Sequence, residues 1–155
     1  MEPPWLRRAR NEMGVSEVMG EKHNARILEY HAETKLKATS DETPWCSAFA
    51  CAMMEWSGVP SPKSAAARSW LTWGEAIDKP TLGCVVVLKR GTSETSGHVG
   101  FYVGEAPGFV QLLGGNQANT VSMASFPISM LLGYRLPGPE YWQPQPFDES
   151  RNDVS

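Results

Sequence analysis

The chain has 155 residues, is 41% hydrophobic and 20% charged, and carries a net charge of −3. That length suits one domain able to bury roughly two-thirds of its unfolded surface, and the composition excludes a disordered or fibrous chain. The acidic excess lies in the tail, where Glu140, Asp148, Glu149 and Asp153 face only Arg151. The remaining chain is balanced, which excludes the basic stripe of a nucleic-acid binder.

At the N-terminus, Pro3 and Pro4 precede an amphipathic run predicting a helix over 5–13, with Leu6, Ala9 and Met13 on one face and Gly14 as its stop. Trp5 and Leu6 are followed at once by Arg7 and Arg8, so the run lacks the form of a signal peptide. No stretch has the length needed to span a bilayer, and stable membrane insertion is not expected. Asn24 is the expected N-cap of a second helix over 25–34, with Ile27, Leu28 and His31 on one side. His23 and His31 read as capping, core-edge or surface residues, and Asp41 and Glu42 as solvated capping acids.

The next stretch, Thr43-Pro44-Trp45-Cys46-Ser47-Ala48-Phe49, carries the chemistry. Thr suits an N-cap and Pro the first helical position, so Cys46 is expected at the third helical position, near free N–H groups and the positive end of the helix dipole. Such a place favours the thiolate, the nucleophilic form of cysteine. The helix continues through Met53, Met54 and Trp56 to Gly58, apolar around most of its cylinder and therefore buried. Cys51 falls about 140° further round and should point away into the core. The count of three cysteines, with no close CxxC pair, argues against a disulfide framework or a zinc site. With no Asp-rich loop either, neither metal nor cofactor is expected.

A third helix is predicted over 64–74, with Trp70 and Trp73 at helical spacing. Core packing is the default for both, although Trp70 and Trp73 are also candidate cleft walls for a glycan or peptide. Beyond it the pattern turns to strands. The apolar run 83–88, the segment opening at His98 with Val99, Phe101 and Val103 alternating, and the segments 109–113, 121–126 and 131–136 give about five strands. Helices first and a largely antiparallel sheet afterwards predict an α+β domain over 1–137, followed by a weakly ordered Pro-rich acidic tail over 138–155.

Three groups far apart in sequence can meet only through the fold. Cys46 lies on a helix start, His98 at a strand start, and Asn116 at the end of the next strand, a Cys–His–Asn set of the papain-like kind. The blocks PWCSAF (44–49), GHVGF (97–101) and GGNQ (114–117) resemble those of the CHAP and NlpC-like branch of papain-like cysteine peptidases and amidases, within a group of bacterial and phage cell-wall hydrolases. The likeness runs from about residue 5 to about residue 137, nearly the whole chain.

The resemblance implies a papain-like domain, peptidoglycan as substrate, and amide or peptide-bond cleavage through an acyl-enzyme. Cys46, His98 and Asn116 would be catalytic, and Trp45, Ser47, Trp73, Gly97 and Gln117 would contact substrate. Many CHAP members carry Glu where this chain has Gly114, which makes Asn116 the expected third residue. A monomer is expected, made in the bacterial cytoplasm and acting in the periplasm or cell wall after delivery by a holin or secretion machine. Two other readings stay open: a silent wall-binding module, and a peptidase or thioesterase acting on a protein partner.

Overall fold

The computed structural model describes residues 2–18, 23–41 and 43–143. It is an α+β arrangement of three α-helices and two 3-10 turns on one sheet: α1 Pro4–Asn11, α2 Ala25–His31, α3 Cys46–Trp56, the 3-10 turn Ala67–Thr72, β1 Glu75–Ile77, β2 Val85–Lys89, β3 Gly97–Ala106, β4 Phe109–Gln117, β5 Thr120–Pro127, the 3-10 turn Ile128–Met130 and β6 Leu131–Leu136. The sheet has six strands in the order β1-β6-β2-β3-β4-β5, and every neighbouring pair is antiparallel. The sixth strand is the short β1, which follows directly where the third helix was expected to end. That helix is itself reduced to the 3-10 turn Ala67–Thr72, with Ala67 and Trp70 buried.

The first and last described residues grip the same corner. The Trp5 indole N–H donates to the Gly83 carbonyl at 2.7 Å, just before β2, and a Cβ on Gly83 would stand 2.4 Å from the Pro3 ring. Trp142 packs edge-on against Trp5, so the start of the expected tail belongs to the fold; residues 144–155 lie outside the described residues. α1 buries Trp5, Leu6 and Ala9, whereas Met13 is 44% exposed because the helix has already ended at Asn11. Asn24 caps α2 as expected, accepting from the Arg26 N–H at 2.8 Å. Arg26 and Tyr30 both donate to the Glu12 carboxylate at 2.6 Å, tying α2 to the end of α1.

Asp41 is not the solvated acid its polar surroundings suggest. It is fully buried and accepts from the backbone N–H groups of Val18 (2.7 Å) and Asn24 (2.8 Å), with His23 Nδ1 at 3.1 Å. Its carboxyl is held below its usual range: burial works against the charge, but the two backbone N–H donors and His23 outweigh it. The carboxylate thus fastens the strands of chain leading to Cys46. Glu42 lies outside the described residues. His31 is fully buried rather than at a core edge or on the surface.

The core forms where α3 lies on β3 and β4, with α1 and α2 packed on the same helix. Every residue from Cys46 to Met54 is buried, as the all-round apolar pattern requires. Phe49 packs edge-on against Tyr30 and tilts against Phe101 of β3. The helix comes this close because β4 presents glycine: a Cβ on Gly115 would stand 2.6 Å from Phe49 Cβ and 2.8 Å from the Trp45 ring. Among the described residues no helix is long and apolar enough to cross a membrane.

Gly115→Ala should therefore force α3 away from β4 and destabilise the domain by about 1–3 kcal/mol through overpacking. Urea unfolding is the check, with a lower midpoint at an unchanged slope as the expected outcome.

Candidate active site

Cys46 is the first residue of α3 rather than its third. Trp45 occupies the cap position with no side-chain cap bond, and its carbonyl accepts the first intrahelical bond from the Phe49 N–H at 2.9 Å. The reason is packing: the Trp45 indole is fully buried and stacks on Tyr30 at 5.9 Å between centroids, which overrides the local preference of Thr43 and Pro44 for starting the helix two residues earlier. Cys46 still sits at the positive end of the helix, among first-turn N–H groups that lack intrahelical partners.

His98 reaches the same place from β3. It pairs with Leu88 of β2, and Gly97 before it pairs with Lys89. A Cβ on Gly97 would stand 2.8 Å from the Leu88 carbonyl oxygen and 3.3 Å from Arg68 Cγ, so the glycine lets the 3-10 turn Ala67–Thr72 close over the strand start. His98 is 4% exposed and Cys46 6% exposed, and the two side chains interact, each shifting the other's protonation.

The other face of the imidazole is held by Gln117, not by Asn116. His98 Nε2 lies 2.9 Å from Gln117 Oε1. The Gln117 Nε2 amide donates to the carbonyls of Ser122 at 2.7 Å and Leu112 at 3.2 Å, which turns the Oε1 end toward the imidazole. An acceptor there requires the proton on His98 Nε2, which leaves Nδ1 as the unprotonated nitrogen of the neutral ring. The register of β4 against β5 shifts between Gly114 and Gln117, and Asn116 stands at φ 58° within that irregularity. The bulge rotates the amide of Gln117 inward, a re-aiming typical of such extra residues. Gly114 is the other half of the device, because a Cβ there would stand 2.5 Å from Gln117 Oε1. The space a larger side chain would fill is the space the Gln117 amide uses.

These contacts set the electrostatics. Burial pushes the Cys46 thiol up, but the hydrogen bond and charge of His98, the Val99 backbone N–H and the positive charge of Arg90 outweigh it and hold the thiol below its ordinary value. Burial pulls the His98 imidazole down, and its bond to Cys46 and then Gln117 lift it above its ordinary value. Both displacements favour the thiolate–imidazolium form over the neutral pair. The other thiols go the opposite way. Burial raises Cys51, whose sulfur lies 3.7 Å from the Ser64 carbonyl, and pushes Cys84 up to about 12.

Two pockets open on the pair. One of about 220 Å³ is lined by Cys46, Pro44, Gly97 and Ser96, among others. The other, of about 340 Å³, is lined by His98, Asn116, Gln117, Phe126 and Met130, among others. Arg68 holds the lip of the first pocket, donating to the Ser96 carbonyl at 2.7 Å and the Ser93 carbonyl at 2.6 Å.

Of the residues expected to contact substrate, Gly97 and Gln117 line these pockets. Trp45 is sealed in the core. Ser47 is also fully buried, donating to the Ser64 carbonyl at 2.6 Å and accepting from the Trp70 indole at 2.9 Å. Their nearness to Cys46 in sequence misleads because both side chains point along the buried sides of α3. Trp73 lies elsewhere, bonded to the Pro60 carbonyl at 2.9 Å in a separate groove with Glu75 and Tyr141. Arg90, which touches both pockets, was missed in the sequence. Its only signal is its place at the end of a buried strand, just before the Ser- and Gly-rich loop that leads to His98.

Neither the family models nor the curated proteins give a match to this chain.

The lowered thiol has a direct signature. Iodoacetamide should label Cys46 ahead of the buried Cys51 and Cys84, and the rate should persist to lower pH than for a free thiol. Because a depressed pKa keeps the thiolate as pH falls, His98→Ala should move the labelling profile to higher pH, since it removes the largest of the influences that oppose burial. Peptide mass analysis across a pH series is the measurement; coincident profiles would show that the imidazole does not act on the sulfur.

Proposed function

We propose that the protein is a cysteine-dependent peptidoglycan hydrolase with a papain-like CHAP/NlpC-type fold, cleaving an amide or peptide bond of the bacterial cell wall. The observation that carries the reading is the Cys46–His98–Gln117 chain. A helix-start thiol faces a strand-borne imidazole whose far nitrogen is fixed by a buried amide, beside open pockets. The choice of wall material as substrate is supported by the resemblance of the three sequence blocks.

In the proposed reaction the Cys46 thiolate attacks the substrate carbonyl, and His98 gives a proton to the departing amine as the C–N bond breaks. An acyl-enzyme remains on the sulfur. Water enters, His98 takes its proton, and the hydroxide displaces the thiolate to release the acid. The backbone N–H of Cys46, which has no intrahelical partner at the helix start, is a donor for the oxyanion. Gln117 holds the imidazole in its working tautomer, the task assigned to Asn116 from the sequence. Delivery to the wall by a holin or secretion machine, and action as a monomer, belong to the same proposal.

Incubation with purified sacculi, followed by mass analysis of the soluble fragments, tests it and identifies the bond. Cys46→Ala and His98→Ala should each lower fragment release by about 10⁴-fold or more. Binding of sacculi by wild-type protein without any release would instead favour a silent wall-binding module.

The orienting amide gives a sharper comparison. Gln117→Ala should lower turnover by roughly 10²-fold, within the range general acid–base catalysis contributes, and Asn116→Ala by less. Gly114→Ala, by displacing the Gln117 amide, should resemble Gln117→Ala. The three rates on one muropeptide, with thermal unfolding as a control, check the order.

A further inference from the structure

Arg90 ends the buried run Cys84–Leu88 with its neighbour Lys89, and both side chains are exposed. The two pockets beside the candidate nucleophile and base share one lining residue among those described, and it is Arg90. Lys89 lines the pocket of His98 and Asn116. Neither pocket has an Asp or Glu in its lining, and among the described residues neither cation is in an ion pair, although Glu94 lies in the adjoining loop. The positive charge reaches the reacting groups, since Arg90 favours the Cys46 thiolate and disfavours the His98 imidazolium. The start of α3 adds the partial positive charge of a helix N-terminus on the Cys46 side. A guanidinium that lines two pockets, with no ion-pair partner among the described residues, is suited to bidentate recognition of a carboxylate brought by a ligand.

We propose that Arg90, assisted by Lys89, forms a carboxylate-binding subsite beside the scissile bond, and that the favoured substrate is an acidic peptide with a free carboxylate next to the amide that is cut. This rests on the reading of Cys46 as the nucleophile of a wall hydrolase and narrows its substrate class. A stem peptide carries such carboxylates, and amidation removes their charge while keeping their shape. Arg90 would then be a specificity residue: it selects and places the ligand, and the bond is broken by Cys46 and His98.

Two measurements on the full chain separate the subsite from the wall reading. The first alkylates Cys46 with iodoacetate and with iodoacetamide, which differ in charge at similar size, and takes the ratio of their rates. The neutral reagent corrects for any change in thiolate fraction. Arg90→Gln should lower the iodoacetate-to-iodoacetamide ratio about three- to tenfold, Lys89→Gln by less, and added salt should erase the preference of the wild type. An unchanged ratio in Arg90→Gln overturns the subsite.

The second measurement compares hydrolysis of two defined stem peptides that differ only in whether the carboxylate flanking the cut is free or amidated. Wild type should favour the free acid by about tenfold in kcat/KM, mostly through KM, and Arg90→Gln should lose that preference. Equal hydrolysis of both peptides by wild type, or an undiminished preference in Arg90→Gln, overturns the assignment of substrate class. Hydrolysis of neither, with the alkylation ratio still falling in Arg90→Gln, overturns the wall-hydrolase reading and leaves the anion subsite standing.

Discussion

The close approach of α3 to the middle of the sheet is the constraint on which the site depends. Phe49 and Trp45 press on the bare backbone of Gly115, and this contact sets how far the first residue of the helix stands from β3. A thiol and an imidazole interact strongly only at hydrogen-bond range, because buried groups at greater separation keep their desolvation penalty without the compensating bond. The apolar interface between helix and sheet is thus what allows two poorly exposed groups to shift each other's protonation.

On the other side of the imidazole, a single amide does two jobs. Its nitrogen is consumed by the carbonyls of Leu112 and Ser122, so its oxygen alone is left for His98. That arrangement needs the bulge of β4 and the missing side chain at Gly114. Gly114 is therefore not a gap beside the site. It is occupied volume, filled by the neighbour that performs the orienting role in the proposed reaction. Around this centre the charge is one-sided: cations edge both pockets, and the acids that matter structurally, Asp41 and Glu12, are turned toward the N-terminal segments they bind.

Some of this architecture is legible from residue pattern alone. The Asn24 cap, the uninterrupted apolar surface of α3 and the β-branched run of β2 reflect strong local or periodic preferences, and they stand where those preferences put them. Cys46 and His98 stand out for a similar reason, since each lies at the boundary of a strongly patterned element. Where a pattern was weak, tertiary packing prevailed. The small residues 64–67 do not sustain an α-helix, and a 3-10 turn resting on Gly97 takes its place. The helix of Cys46 begins later than Thr43 and Pro44 would have it, because burying the Trp45 ring outweighs a cap worth about 1 kcal/mol.

By itself the sequence determined the α+β class, the antiparallel character of the sheet, and which thiol and which imidazole were worth following. These follow from periodicity and element ends, which are local properties. Only the tertiary structure decided that Gln117 rather than Asn116 meets His98, that Trp45 and Ser47 are core residues, and that Arg90 borders both pockets. Adjacent residues on a strand point to opposite faces, and one bulge exchanges them. Which face is presented to the site is therefore settled by the packing of the whole domain, not by any property of the residues concerned.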